Sequence, residues 1–136
     1  MVVVADTNIL VSALLWKGQT TPILHLVRDR KIQIAINGSL LNEFERVLCY
    51  PKFHQQLSSI GKTPFQIVQE FIEIAILVDD VSIPPTILDD LSDDRVLACA
   101  FASRASMIVS GDQHLLKLKS WRGISIVTAR TFLNRF

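Results

Sequence analysis

The chain has 136 residues, 49% hydrophobic and 20% charged, with 14 Lys and Arg against 13 Asp and Glu for a formal net charge of +1. That size and balance fit one globular domain spanning residues 1–136 and exclude both a disordered chain and a globally basic one, so any binding of a polyanion has to be local. The longest apolar runs fall short of the roughly 20 residues of a membrane span. The opening Met1-Val2-Val3-Val4-Ala5-Asp6 lacks the basic start of a signal peptide. Cys49 and Cys99 lie far apart, with no CxxC spacing, on helical apolar patterns. They read as buried thiols in a reducing, cytoplasmic compartment.

In chain order, Val2 to Ala5 is a β-branched run suited to a strand buried on both faces. Asn8 to Leu15 is apolar and reads as a helix start, interrupted by Gly18 to Pro22; Pro22 suits the first turn of another helix reaching about Arg30. Ile32 to Ile36 is the second predicted strand, closed by Asn37-Gly38. Ser39 is a candidate N-cap for a helix with the apolar stripe Leu40, Leu41, Phe44, Val47 and Leu48, ended by Pro51. Thr63-Pro64 opens a helix through Ile72, and Ile74 to Val78 is the third predicted strand. A helix from about Asp94 to Ser103 precedes a buried strand, Met107 to Ser110, and Asp112 to Leu118 reads as a short helix. Ile124 to Val127 is the last predicted strand, and Thr128 caps a final helix. Strands alternating with helices predict a three-layer α/β/α fold around a parallel sheet of about five strands.

In such sheets ligands sit beyond the carboxyl ends of the strands, at the point where strand order reverses. Asp6 lies at the end of the first strand, Asp112 just past the fourth, Asp94 at the start of the helix before it, and Glu43 early in the second long helix. Each also has a plain structural role: Asp6 as a turn residue, Asp93 and Asp94 as helix-capping acids, Asp112 as an N-cap. A helical wheel does not separate Glu43 from Glu45, which flank the same stripe. Four acids on one sheet edge repel one another, and a hard divalent cation resolves that repulsion through oxygen ligands. Such an ion can activate water and stabilise charge on a phosphodiester. No Ser/His/Asp chain, P-loop or GxGxxG competes.

Val2-Val3-Val4-Ala5-Asp6-Thr7-Asn8 resembles the first motif of PIN domains. The likeness continues through Ser39 to Leu48, Pro51-Lys52-Phe53, Asp93 to Ala100 and Ile108-Val109-Ser110-Gly111-Asp112, followed by His114-Leu115-Leu116. Taken in order over nearly the whole chain, these segments are similar to the VapC-like branch, the toxin components of toxin–antitoxin pairs. The resemblance implies a Mg²⁺- or Mn²⁺-dependent endoribonuclease that leaves 3′-hydroxyl and 5′-phosphate ends. It implies Asp6, Glu43, Asp94 and Asp112 as metal-binding acids, with Asn8 and Ser110 orienting a carboxylate or water. It selects Glu43 over Glu45, and Asp94 over Asp93 by spacing to Val96 and Val109. An RNA substrate, an antitoxin protein and a homodimer are the implied partners.

His25, His54 and His114 lack metal-ligand spacing and read as surface or packing residues. Lys117, Lys119 and Arg122 follow Asp112, where they either contact RNA phosphates or form a solvated face. Trp16 reads as a packing residue at the end of an apolar stretch. A phosphoacceptor receiver domain is disfavoured: Asp6-Thr7-Asn8 is no acidic pair, and Ile124 to Val127 holds no lysine. A non-catalytic RNA- or protein-binding module of the PIN fold is the other alternative.

Overall fold

The computed structural model describes residues 1–87 and 93–136. Its six strands are β1 (Val2–Ala5), β2 (Gln33–Asn37), β3 (Ala75–Val78), β4 (Met107–Val109), β5 (Ser120–Trp121) and β6 (Ile124–Val127). They form one sheet in the order β3-β2-β1-β4-β6-β5. All pairings are parallel except β5 with β6. The helices that flank it are α1 (Thr7–Leu15), α2 (Thr21–Arg28), α3 (Gly38–Leu48), α4 (His54–Ile60), α5 (Pro64–Ile74), α6 (Asp94–Ser103), α7 (Gln113–Leu116) and α8 (Ala129–Leu133). No helix among the described residues is long and apolar enough to cross a membrane.

The five expected parallel strands are all present, and the sheet gains a sixth, β5, at its edge. Two residues are too few to carry an alternation signal. β5 exists because Arg122 and Gly123 both adopt positive φ, 50° and 80°. That is the geometry of a two-residue hairpin turn, joining Trp121 to its partner Ile124. Helix α4 was also unforeseen; it closes at Gly61 in the left-handed region.

Val3, Val4, Ile34, Ile108 and Val109 are buried on both sides of the sheet, as continuous β-branched runs require. Helix α6 packs across β1, β2, β3 and β4. Helix α3 is fixed between β2 and α5, with Phe44 fully buried and edge-on to Phe71 at 5.6 Å. Two caps set its start. The Asn37 side chain accepts from Leu40 N–H at 2.8 Å, so Asn37 rather than Ser39 is the N-cap. Asp80, just beyond β3, accepts from Ser39 N–H at 3.2 Å. A Cβ on Gly38 would stand 3.0 Å from the other Asp80 oxygen, so the bare glycine lets that carboxylate reach the helix.

Both cysteines are free thiols, but only Cys99 is buried. Cys49 is exposed because α3 ends there, which turns it out of the apolar stripe. Burial pushes the Cys99 thiol up to about 12, which leaves it no nucleophile. Trp16 is partly exposed and meets Phe53 edge-on at 5.7 Å.

Truncating Phe44 removes the ring that seats α3. Phe44→Ala is expected to cost about 3–5 kcal/mol, read as a lower urea midpoint with an unchanged slope. A midpoint within experimental error of wild type would contradict this packing.

Candidate metal centre

Strand order reverses between β1 and β4. Connections from β1 lead one way to β2 and β3, then return to β4 and β6 on its other side. The β1/β4 register pairs Ala5 with Val109, so Asp6 and Ser110 leave the sheet side by side. Asp6 N–H donates to the Val109 carbonyl at 3.1 Å and Ser110 N–H to the Val127 carbonyl at 3.0 Å. Both residues are thereby held by the backbone of their neighbours before their side chains are considered.

The Asp6 carboxylate is buried and fully engaged. One oxygen accepts from Ile9 N–H at 2.9 Å and so caps α1. The other accepts from the Ser110 hydroxyl and from Gly111 N–H at 3.3 Å. The Ser110 hydroxyl in turn accepts from Asp112 N–H at 2.9 Å, and Asp112 accepts from His114 N–H at 2.7 Å as the N-cap of α7. Across the opening, Thr7 donates its hydroxyl to one oxygen of Glu43 at 3.1 Å.

Asp6, Glu43, Asp93 and Asp112 line one cleft of about 120 Å³ together with Thr7, Asn8, Val47 and Val96. Asn8 stands at its exposed rim. No Lys or Arg lines it among the described residues. Burial raises the Asp6 carboxyl above its ordinary range, and the nearby Asp112 charge adds to this. The hydrogen bonds from Ser110, Ile9 and Gly111 only partly offset these effects. Ligand atoms of Asp93, Asp112 and His114 lie within 4.8 Å of one another. The His114 Nδ1 is 3.5 Å from an Asp112 oxygen and 3.9 Å from an Asp93 oxygen.

Asp94 lies elsewhere. Its two oxygens accept from Thr86 N–H at 3.0 Å and Ile87 N–H at 2.9 Å, pinning the chain after β3 to the start of α6. Of the four acids expected together, Asp6, Glu43 and Asp112 line the cleft, and Asp93 occupies the position expected of Asp94. Consecutive residues at a helix start point about 100° apart. The helix start expected at about Asp94 is the one observed, so what the sequence did not show is which of the two adjacent acids the fold turns into the cleft. In the sequence alone, Asp93 ranks second to Asp94, His114 reads as a surface or packing residue, and Thr7 has no role of its own. Thr7 sits inside the Asp-Thr-Asn motif, and His114 is two residues beyond Asp112 at the head of α7, so proximity in sequence was the available signal for both.

A larger groove of about 680 Å³ opens at the other ends of the strands, near Met1, Ile32 and Gln33, but Glu73 is its one carboxylate. It lacks a convergent acid set. The acidic cleft suits a hard divalent cation: its donors are carboxylate oxygens, and its described lining includes no Lys or Arg. Asp6, Glu43, Asp93 and Asp112 would hold the ion.

A sequence profile of the PIN domain matches residues 2–114. The chain belongs to the PIN domain family. Its fold is similar to that of a chain in the crystal structure of VapBC2 from Rickettsia felis bound to a DNA fragment from their promoter. That likeness has a TM-score of 0.58 and 18% identity, covering 93% of this chain and 97% of that one. No curated protein matches the chain. In this PIN domain the motif residues Asp6 and Ser110 meet at the reversal of strand order.

The raised Asp6 carboxyl has a signed consequence. The folded state binds this proton more tightly than the unfolded chain, whose value is 3.8. Without metal, its contribution to stability therefore grows as the pH falls from neutral through the raised value, and is complete below 3.8. Metal-free wild type is expected to gain thermal stability relative to Asp6→Asn over that descent. Added Mn²⁺ is expected to act the opposite way, stabilising wild type more at higher pH, by about 2.7 kcal/mol at a hundredfold excess over Kd. Parallel pH curves for the two proteins, with or without Mn²⁺, would contradict this electrostatic account.

Proposed function

We propose that residues 1–136 form one nuclease domain, a Mg²⁺- or Mn²⁺-dependent endoribonuclease of the VapC kind that acts as the toxin of a toxin–antitoxin pair. The observation that carries this reading is the meeting of four carboxylates, remote in sequence, in one small cleft. It is joined by membership of the PIN domain family. We assign Asp6, Glu43, Asp93 and Asp112 as the metal-binding acids. Asp94 is assigned instead to holding the Thr86–Ile87 backbone.

A bound divalent ion would supply Lewis acidity and a lowered water pKa at the phosphodiester. The protein's contribution is orientation. Ser110, Gly111 and Ile9 fix both oxygens of Asp6, so its carboxylate needs no reorganisation when charge arrives. Thr7 fixes one oxygen of Glu43, and the other has no hydrogen bond among the described residues. Asp112 is held at both its backbone N–H and its carboxylate. Asn8 at the rim offers an amide to an incoming strand. The similar VapBC2 chain comes from a complex bound to promoter DNA. On that likeness we assign this chain a protein antitoxin partner, together with homodimer formation and a cytoplasmic setting.

The test is cleavage of single-stranded RNA with Mn²⁺. Wild type is expected to cleave and to stop with EDTA, while Asp6→Asn and Asp93→Asn each lose at least about a hundredfold. Asp94→Asn is expected to keep Mn²⁺ affinity while losing about 1–3 kcal/mol of stability through a poorly satisfied backbone N–H. Cleavage that survives both EDTA and Asp6→Asn overturns the metal mechanism. An Asp93→Asn variant with full activity and an inactive, metal-free Asp94→Asn returns the third position to Asp94.

Expression of the chain alone is expected to arrest growth, with Asp6→Asn relieving the arrest. Normal growth despite folded, RNA-cleaving protein would remove the toxin assignment and leave the nuclease.

A further inference from the structure

Helix α3 carries a polar row that the acidic cleft uses only in part. Ser39, Asn42, Glu43 and Arg46 follow the i, i+3, i+4, i+7 spacing and so share one face. Arg95, from the first turn of α6, joins them to line a second cleft of about 300 Å³. Glu43 lines both clefts, so the arginine-bearing one adjoins the acids. Arg46 and Arg95 are both exposed, and neither is in an ion pair among the described residues. Four other cations are placed differently. Arg122 lies over the rings of Trp121 and Phe101, at 4.7 and 5.2 Å. Arg28, Arg30 and Lys31 line the groove at the opposite ends of the strands.

A cleft built from carboxylates repels a polyanion until something beside it attracts one. Two guanidiniums next to Glu43, neither in an ion pair among the described residues, supply that attraction. Each presents a planar fork of donors matched to phosphate oxygens. Ser39 and Asn42 add neutral polar groups on the same wall. We propose that Arg46 and Arg95 form a phosphate-binding subsite that holds a backbone phosphate of single-stranded RNA adjacent to the one under attack. This rests on the ribonuclease reading and gives it a direction: the strand runs from the acids, past Glu43, along α3.

The experiment measures binding and cleavage separately. A fluorescein-labelled single-stranded RNA is titrated with the full chain in EDTA, by anisotropy, across a salt series. The Arg46→Ala/Arg95→Ala double variant is expected to lower the salt slope by about 1.4 and to bind roughly 25-fold more weakly at 0.1 M salt. The double lysine variant is expected to keep most of the slope, and Lys62→Ala, whose amine pairs with Glu70, to bind like wild type. With Mn²⁺ the loss is expected in KM, with kcat retained. Circular dichroism melting verifies that the variants are folded.

Wild-type affinity and slope in the folded double variant overturn the subsite, and wild-type cleavage alongside leaves the nuclease reading standing. Arginine-dependent RNA binding by a wild type that cleaves nothing supports the subsite and removes the nuclease reading. A double variant that loses affinity for a polyglutamate peptide but keeps its RNA affinity assigns these arginines to a protein partner and overturns the proposal.

Discussion

Everything at this site depends on a buried carboxylate, Asp6, in a cleft with no Lys or Arg lining it among the described residues. Asp6 emerges from the central strand, accepts hydrogen bonds from Ser110, Gly111 and Ile9, and still titrates high because burial outweighs those bonds. A fold that keeps such a group holds it ready for a positive ligand. The β1/β4 pairing provides the location, since strand order reverses between these two strands.

The remaining acids are delivered by elements whose starts are fixed by other carboxylates and amides. Asn37 and Asp80 cap α3 from two neighbouring strand ends, which sets the turn on which Glu43 stands. Asp94 spends both oxygens on Thr86 and Ile87, which sets the first turn of α6 and with it the position of Asp93. Acids thus serve two purposes along one sheet edge. Asp80 and Asp94 build the frame by accepting from backbone N–H groups, while Asp6 and Asp112 do this and also line the cleft with Glu43 and Asp93. The arginines of α3 and α6 stand just outside, so acids and arginines adjoin across one side chain, Glu43.

Much of the fold was readable from residue patterns. The β-branched runs gave all five parallel strands, and the alternation with helices gave their relation. The Thr63-Pro64 and Thr128 starts proved to be real caps because their chemistry is local. Long-range features were not readable in the same way. The start of α6 at Asp94 was legible, but which of Asp93 and Asp94 faces the cleft was not, because that is decided by the contact of Asp94 with Thr86 and Ile87, eight and seven residues earlier in the chain. The Ser39 cap failed for a similar reason: Asn37 and the distant Asp80 already satisfy the first N–H groups of α3. His114 reads as a surface or packing residue because it lacks metal-ligand spacing, and only the fold brings it beside Asp93 and Asp112.

The most direct test of the central claim is to locate Mn²⁺ by anomalous scattering in crystals of the chain. A peak within ligand distance of Asp6, Asp93 and Asp112 is the expected result, with Asp94 still bonded to Thr86 and Ile87. Mn²⁺ at the crystal surface alone, or a peak coordinated by Asp94 with that loop displaced, would contradict the account.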